Sequence, residues 1–132
     1  MASEIDYTRL LGFRDGLRRF LNWSEQQARE VGLTAAQHQL LLAIRGHGSA
    51  EAPTIGDVAE HLMLRHHSAV ELVGRAESMG LVERRKDKVD HRVVRLRLSA
   101  RGRSSLDALS TQHLDELRRL APNMRPIWAD LD

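Results

Sequence analysis

The stretch from Thr54 to Leu98 constrains the fold more than any other part of the chain. Thr54 has the chemistry of a helix cap, with Asp57 three residues on, and Ile55, Val58, Ala59 and Leu62 then recur at helical spacing. Met63-Leu64-Arg65 breaks that pattern. A second stripe follows from His66 to about Met79, carried by Ala69, Leu72, Val73 and Ala76, and Gly80 supplies a stop. Leu81 to Lys86 reads as a strand. Val93 to Leu98 alternates, with Val94, Leu96 and Leu98 on one face and Val93, Arg95 and Arg97 on the other. Between the strands, Asp87 to His91 is a charged turn, short of apolar residues. Two short helices joined by a tight turn, followed by a hairpin, make a helix-turn-helix with a β wing.

The flanking segments have a different character. Ser3 and Asp6 have capping-box spacing, and Leu10, Phe13, Leu17, Phe20 or Leu21, and Ala28 mark an amphipathic helix reaching about Val31. It is long for so small a domain, and more apolar than one face of such a domain requires. That favours a partner helix from another subunit. Gly32 ends it. Thr34 and Gln37 form the next capping box, before a helix whose Leu40, Leu41, Leu42 and Ile44 make it apolar around much of its girth and therefore central. Gly46 to Pro53 is a loop of small and polar residues. Ser99 caps a fifth helix with apolar positions at Leu106, Leu109, Leu114, Leu117 and Leu120. Pro122 is expected to end it, leaving Pro126 to allow one short turn around Ile127 to Leu131.

Composition narrows the function classes. The chain has 132 residues, enough for one domain with a modest core, and only 4% aromatics, so Leu, Val and Ala must do most of the packing. No apolar run approaches the roughly 20 residues that span a bilayer. The N-terminal sequence lacks the pattern of a signal peptide, and a cytoplasmic location is expected. The absence of cysteine excludes disulfides, thiolate metal sites and thiol redox sensing. The formal net charge of +2 is uninformative, but its distribution is not. Residues 65–103 carry eleven Lys and Arg against five Asp and Glu, while the remainder is mildly acidic. A basic segment in an acidic chain is the footprint of a face that binds a polyanion.

From Gly80 to Gly102 the residues also carry a resemblance. Gly80-Leu81-Val82 followed by basic residues, then Asp90-His91-Arg92, Val94-Arg95-Leu96, Leu98-Ser99 and Gly102, in this order after a helix-turn-helix, closely resembles the MarR family of bacterial winged helix-turn-helix regulators. The likeness covers about 8 to 121. It implies a mainly α fold with a small β-hairpin wing, in which a winged helix-turn-helix lobe of about 34–98 joins dimerisation helices of about 4–31 and 100–121 in a single domain spanning 1–132. It further implies a homodimer, a fourth helix in the DNA major groove and a wing tip in an adjacent minor groove. Three departures stand out. Arg65-His66-His67 occupies the start of the recognition helix, where the family usually has Ser-Pro or a similar cap. Position 71 is Glu, where polar or basic residues are commoner, and the C-terminal helical region is short for the family.

On that reading the first turns of the recognition helix face base edges. His66, His67, Ser68 and Glu71 are the candidates there, with Arg75 nearer the backbone and Arg65 a further DNA-binding candidate at the turn. Imidazole donates to guanine, and a carboxylate accepts from cytosine N4. Arg92 suits a narrow minor groove, where the potential is more negative, and Asp90 holds it in shape. Arg84, Arg85, Lys86 and Lys88 are candidate phosphate contacts, which supply affinity more than sequence discrimination. Such relatives often take a small aromatic or anionic effector. By analogy Arg19, Trp23, His38 and His113 would line its pocket, with plain interface packing the simpler reading of Trp23. No cofactor is called for. Two alternatives remain. One is a winged helix used for protein contacts alone, against which the local basic charge argues. The other is a metal-responsive regulator using histidines such as His61, His66 and His67, although no cysteine or HExxH pattern is present. No phosphate loop, GxSxG or paired-carboxylate motif points to an enzyme.

Overall fold

The computed structural model describes residues 1–131. Four helices, α1 (Glu4–Glu30), α2 (Ala35–Arg45), α3 (Ile55–Leu62) and α4 (His66–Ser78), precede a hairpin of β1 (Val82–Lys86) and β2 (Val94–Leu98), which leads into α5 (Ala100–Trp128). The architecture is mainly α with a small β-hairpin wing, as the periodicities predict.

Capping sets most of the boundaries. Ser3, Thr34 and Thr54 each accept the amide three residues on, and the side chains of Asp6, Gln37 and Asp57 each accept the cap's own amide. Each such cap stabilises its helix by about 1 kcal/mol. Gly32 and Gly80 end α1 and α4 at φ +81° and +74°, a region where a Cβ would be strained. The break between α3 and α4 uses Met63, a non-glycine residue at φ 54° and ψ 42°. The Leu64 amide returns to the Ala59 carbonyl at 2.9 Å, so the turn closes one helix before Arg65 opens the next. Unlike the other helices, α4 has no side-chain cap at its start.

The core gathers around α2, which packs on α1, α3, α4, α5 and β2. Leu40 and Leu41 are fully buried, together with Val58, Val73, Leu81, Leu96 and Leu109 from the surrounding elements. Leu42 is an exception to the expected girth: it is half exposed and faces outward. β1 and β2 pair antiparallel with Val82 opposite Leu98 and Lys86 opposite Val94. Leu96 and Leu98 are buried and Arg97 is exposed, in keeping with the predicted alternation.

The expected end of α5 is wrong. The helix runs through Pro122 and Pro126 to Trp128. Each proline removes a backbone donor and carries an interior penalty of about 3 kcal/mol. Packing against α1 holds the last turns in place. Phe13 meets Trp128 edge to face, with centroids 6.0 Å apart, and Met124 lies against Gly16. Further along, Ser24 Oγ meets His113 Nε2 at 2.7 Å. The two long helices are therefore antiparallel, and α5 extends over 29 residues. It also leaves much apolar surface uncovered. Of all α1 residues only Ala28 is buried, whereas Leu10, Leu17, Leu21, Leu114 and Leu117 are exposed.

One contact ties the wing to α5. Ser99 caps α5 by accepting the Gly102 amide, and its own amide donates to the Leu81 carbonyl. A Cβ on Gly102 would collide with that carbonyl oxygen. Gly102→Ala is expected to destabilise the fold by about 1–3 kcal/mol through overpacking, measured by chemical denaturation; a midpoint equal to that of the unsubstituted chain would contradict this close approach.

Candidate nucleic-acid interface

The residues of the second helix divide cleanly between core and solvent. Ala69, Val73 and Ala76 are buried, and this fixes the opposite face of α4 outward. Arg65, His66, His67, Glu71 and Arg75 are all exposed on that side, with Ser68 partly covered. No ion pair joins Glu71 to Arg75 among the described residues, so both remain available to a ligand. Val70 belongs to the same face at 38% exposure. The sequence reading passed it over, although its position off the buried stripe marked it. A methyl-bearing side chain there suits a thymine methyl group.

The wing is shaped by carboxylates. Asp87 accepts the Val89 and Asp90 amides at 3.1 and 2.9 Å and the Arg95 Nε donor at 2.7 Å. Those bonds, the Asp90 amide first and the Arg95 guanidinium next, hold its carboxyl down at about 2. Arg95 also donates to the Ala52 carbonyl at 2.8 Å and to Glu51 at 2.8 Å. With the Leu96 amide on the Pro53 carbonyl, it fastens the hairpin to the loop before α3. Arg95 was expected only to sit on the outward face of its strand.

At the tip, Asp90 accepts two donors from Arg92, Nε at 3.0 Å and Nη2 at 3.1 Å, as well as its amide. The Arg92 side chain nonetheless remains 91% exposed. Its guanidinium lowers the Asp90 pKa, the side-chain bond first and the backbone bond second. Val89 stands beside it almost fully exposed, an apolar residue in a turn that otherwise lacks them.

The four candidate phosphate contacts do not behave alike. Arg84 reaches back to Glu77 of α4, Nε to Oε1 at 3.2 Å, and so braces the wing against the helix. Arg85 pairs with Glu83 at 3.0 Å on the other face of the hairpin. Lys86 and Lys88 are exposed and make no ion pair among the described residues. The last two are therefore the least encumbered of these four.

Three of the four candidate pocket residues come together away from this face. The His113 ring lies 4.8 Å from Trp23 and 4.7 Å from His38, centroid to centroid. These are contact separations, so the rings fill the space among themselves. A carbonyl only accepts, so His113 Nδ1 donates to Leu109 at 2.7 Å, and in the neutral ring Nε2 accepts from Ser24. Burial, and secondarily the neighbouring His113, lowers the pKa of His38 and favours its neutral form. Arg19 is exposed on α1. His61 pairs with His47 at 2.9 Å rather than with His66 or His67. No group of three or more potential metal ligands converges among the described residues.

A sequence model of the MarR family matches residues 31–93, the segment from the end of α1 to the wing. A search of curated proteins by sequence matched nothing. Among solved structures, AbsC, a MarR family transcriptional regulator from Streptomyces coelicolor, is similar with a TM-score of 0.74 and 17% identity, over 98% of this chain and 85% of that one. A mutant of MepR from Staphylococcus aureus, bound to an oligodeoxyribonucleotide, is similar at 0.69 and 21%, over 88% and 82%. NadR in complex with 4-hydroxyphenylacetate is similar at 0.72 and 19%, over 83% and 76%. At such identities these likenesses establish the fold.

The depressed pKa of Asp87 has a pH signature. A carboxyl lowered on folding contributes stability that is full above its ordinary value of 3.8 and is lost as pH falls through about 2. The wing is therefore expected to hold to about pH 4 and to loosen between there and pH 2, followed by NMR of the Val89 and Asp90 amides. Amides that move with a midpoint at the ordinary carboxylate value would show that Asp87 does not organise the turn.

Proposed function

We propose, from the match of a MarR family model to residues 31–93 and the fold shared with MarR family structures, that this chain is a sequence-specific DNA-binding repressor acting as a homodimer. The observation that carries the reading is the exposed polar face of α4 beside a wing whose tip presents Arg92. An α-helix of this size fits the major groove, with the early residues His66, His67, Ser68 and Glu71 meeting base edges and Val70 meeting a methyl group. Arg75, Lys86 and Lys88 lie where phosphates would run, and Arg65 stands at the uncapped start of the helix. Arg92 enters the minor groove, where a guanidinium is favoured by the stronger negative potential. Arg84 and Arg85, which already hold carboxylates, contribute mainly to the field.

Dimerisation gives the uncovered apolar surface of α1 and α5 a partner. A two-fold pair of α4 helices then reads a pseudo-palindromic promoter site with half-sites about one helical turn apart. The wing tip, with its held arginine and local excess of cations, favours this reading over a winged helix used for protein contacts alone. A small aromatic or anionic effector acting near Trp23, His38 and His113 would have to part rings that now touch. The protein is read as cytoplasmic, and no helix among the described residues is long and apolar enough to cross a membrane.

Fluorescence anisotropy with DNA from upstream of the gene tests the proposal. Affinity is expected to fall linearly on a log–log plot against salt, by about 0.9 per phosphate contacted, and to require both half-sites. Indifference to salt and to palindromy would sink it. Arg92→Ala is expected to weaken binding by roughly tenfold or more while sedimentation still reports a dimer; unchanged affinity would remove the wing from the mechanism.

A further inference from the structure

A cavity of about 490 Å³ lies on the outer side of the hairpin, away from α4. Its walls bring together four arginines from four elements: Arg45 at the end of α2, Arg85 of β1, Arg97 of β2 and Arg103 in the first turn of α5. Two carboxylates share the lining, and both are already taken. Glu83 is directly opposite Arg97 in the strand register, yet it pairs with Arg85 at 3.0 Å. Glu51 pairs with Arg95 at 2.8 Å. Among the described residues, Arg45, Arg97 and Arg103 form no ion pair and no side-chain hydrogen bond.

Three guanidiniums left uncompensated around one concavity repel one another, like charge against like. The first turn of α5 adds to the excess. It carries no acidic residue, although a helix start favours anions. Its Arg101 has a structural task, donating to the Met79 carbonyl at 3.0 Å. Arg103 has none. A local rule broken without a compensating contact in the fold is where a ligand is to be sought.

We propose that this cavity is a binding site for a small phosphate-bearing anion, separate from the DNA-reading face. Guanidinium is the side chain that matches phosphate oxygens with paired donors, and the volume falls in the range of small-molecule sites. Ile44, Leu96 and Leu98 also border the cavity but are buried, so polar and charged groups dominate its accessible lining. The occupied site would bridge the loop before α3 to the wing, next to the Arg95 fastening. The backbone of DNA offers the same phosphate chemistry, and the test separates the two sources.

Inorganic pyrophosphate is titrated into the full-length protein by calorimetry at constant ionic strength. The same titration is made with the Arg97→Ala/Arg103→Ala double variant, with Arg97→Lys, and with Arg18→Ala as a control on the far surface. Saturable binding of one pyrophosphate per chain is expected, weakened tenfold or more in the double variant, less in Arg97→Lys and not at all in Arg18→Ala. Absence of saturable binding overturns the proposal, as does equal binding by the double variant with its thermal unfolding unchanged. DNA affinity is measured in parallel by anisotropy. A double variant that loses DNA affinity, in a protein that takes no pyrophosphate, assigns the arginines to DNA phosphates and also overturns it. Pyrophosphate binding by a protein that ignores DNA would support this site while refuting the regulatory reading, so the two fail separately.

Discussion

The wing stands or falls with one guanidinium. Arg95 reaches from β2 to Asp87 at the base of the turn, to Glu51 and to the Ala52 carbonyl in the loop before α3. A two-stranded hairpin is marginal in water by itself. Here it is held at both ends, by Arg95 at the loop and by the Leu81–Ser99–Gly102 contact at its root. With Arg95 and Asp87 both mostly covered, their pairing escapes much of the screening that makes surface ion pairs weak. The fastening also fixes where the tip points. Arg84, paired with Glu77, adds a contact between the wing and α4.

Much of this was legible from residue order. Capping boxes are local chemistry, and all three appear where Ser3, Thr34 and Thr54 announce them. The alternation of Val94, Leu96 and Leu98 predicted the buried face of β2, and the silent stretch Met63 to Arg65 predicted the turn. What escaped was set by contacts distant in sequence. Pro122 is a valid stop signal for an isolated helix, but α1 lies alongside and its Phe13 and Gly16 receive Trp128 and Met124. Arg95 looked like one basic residue among many because Glu51 and Asp87, its partners, flank different elements. Arg84 and Arg85 counted equally as charges, yet one braces a helix and the other only its neighbour on the strand.

The histidines divide for the same reason. His66 and His67 remain on the open face that their position predicted. His38 and His113, far apart in the chain, meet in the angle between α1, α2 and α5, where Trp23 and Phe20 complete an aromatic cluster. Two of the chain's five aromatic residues thus meet two histidines at the junction of the long helices and the lobe. The lobe joins those helices through the His38–His113 ring contact and through the aliphatic core that Ala28, Leu106 and Leu109 share with Leu40, Leu41 and Leu96.

Arg92 has a further property. An arginine side chain free in water samples many rotamers, and fixing it on a ligand forfeits that freedom. Asp90 has already restricted this one, using two of the five guanidinium donors and leaving the remaining edge to face outward. Part of the entropy of immobilisation is thus spent during folding. On the proposed DNA-binding reading, a groove would meet an arginine whose orientation Asp90 already biases.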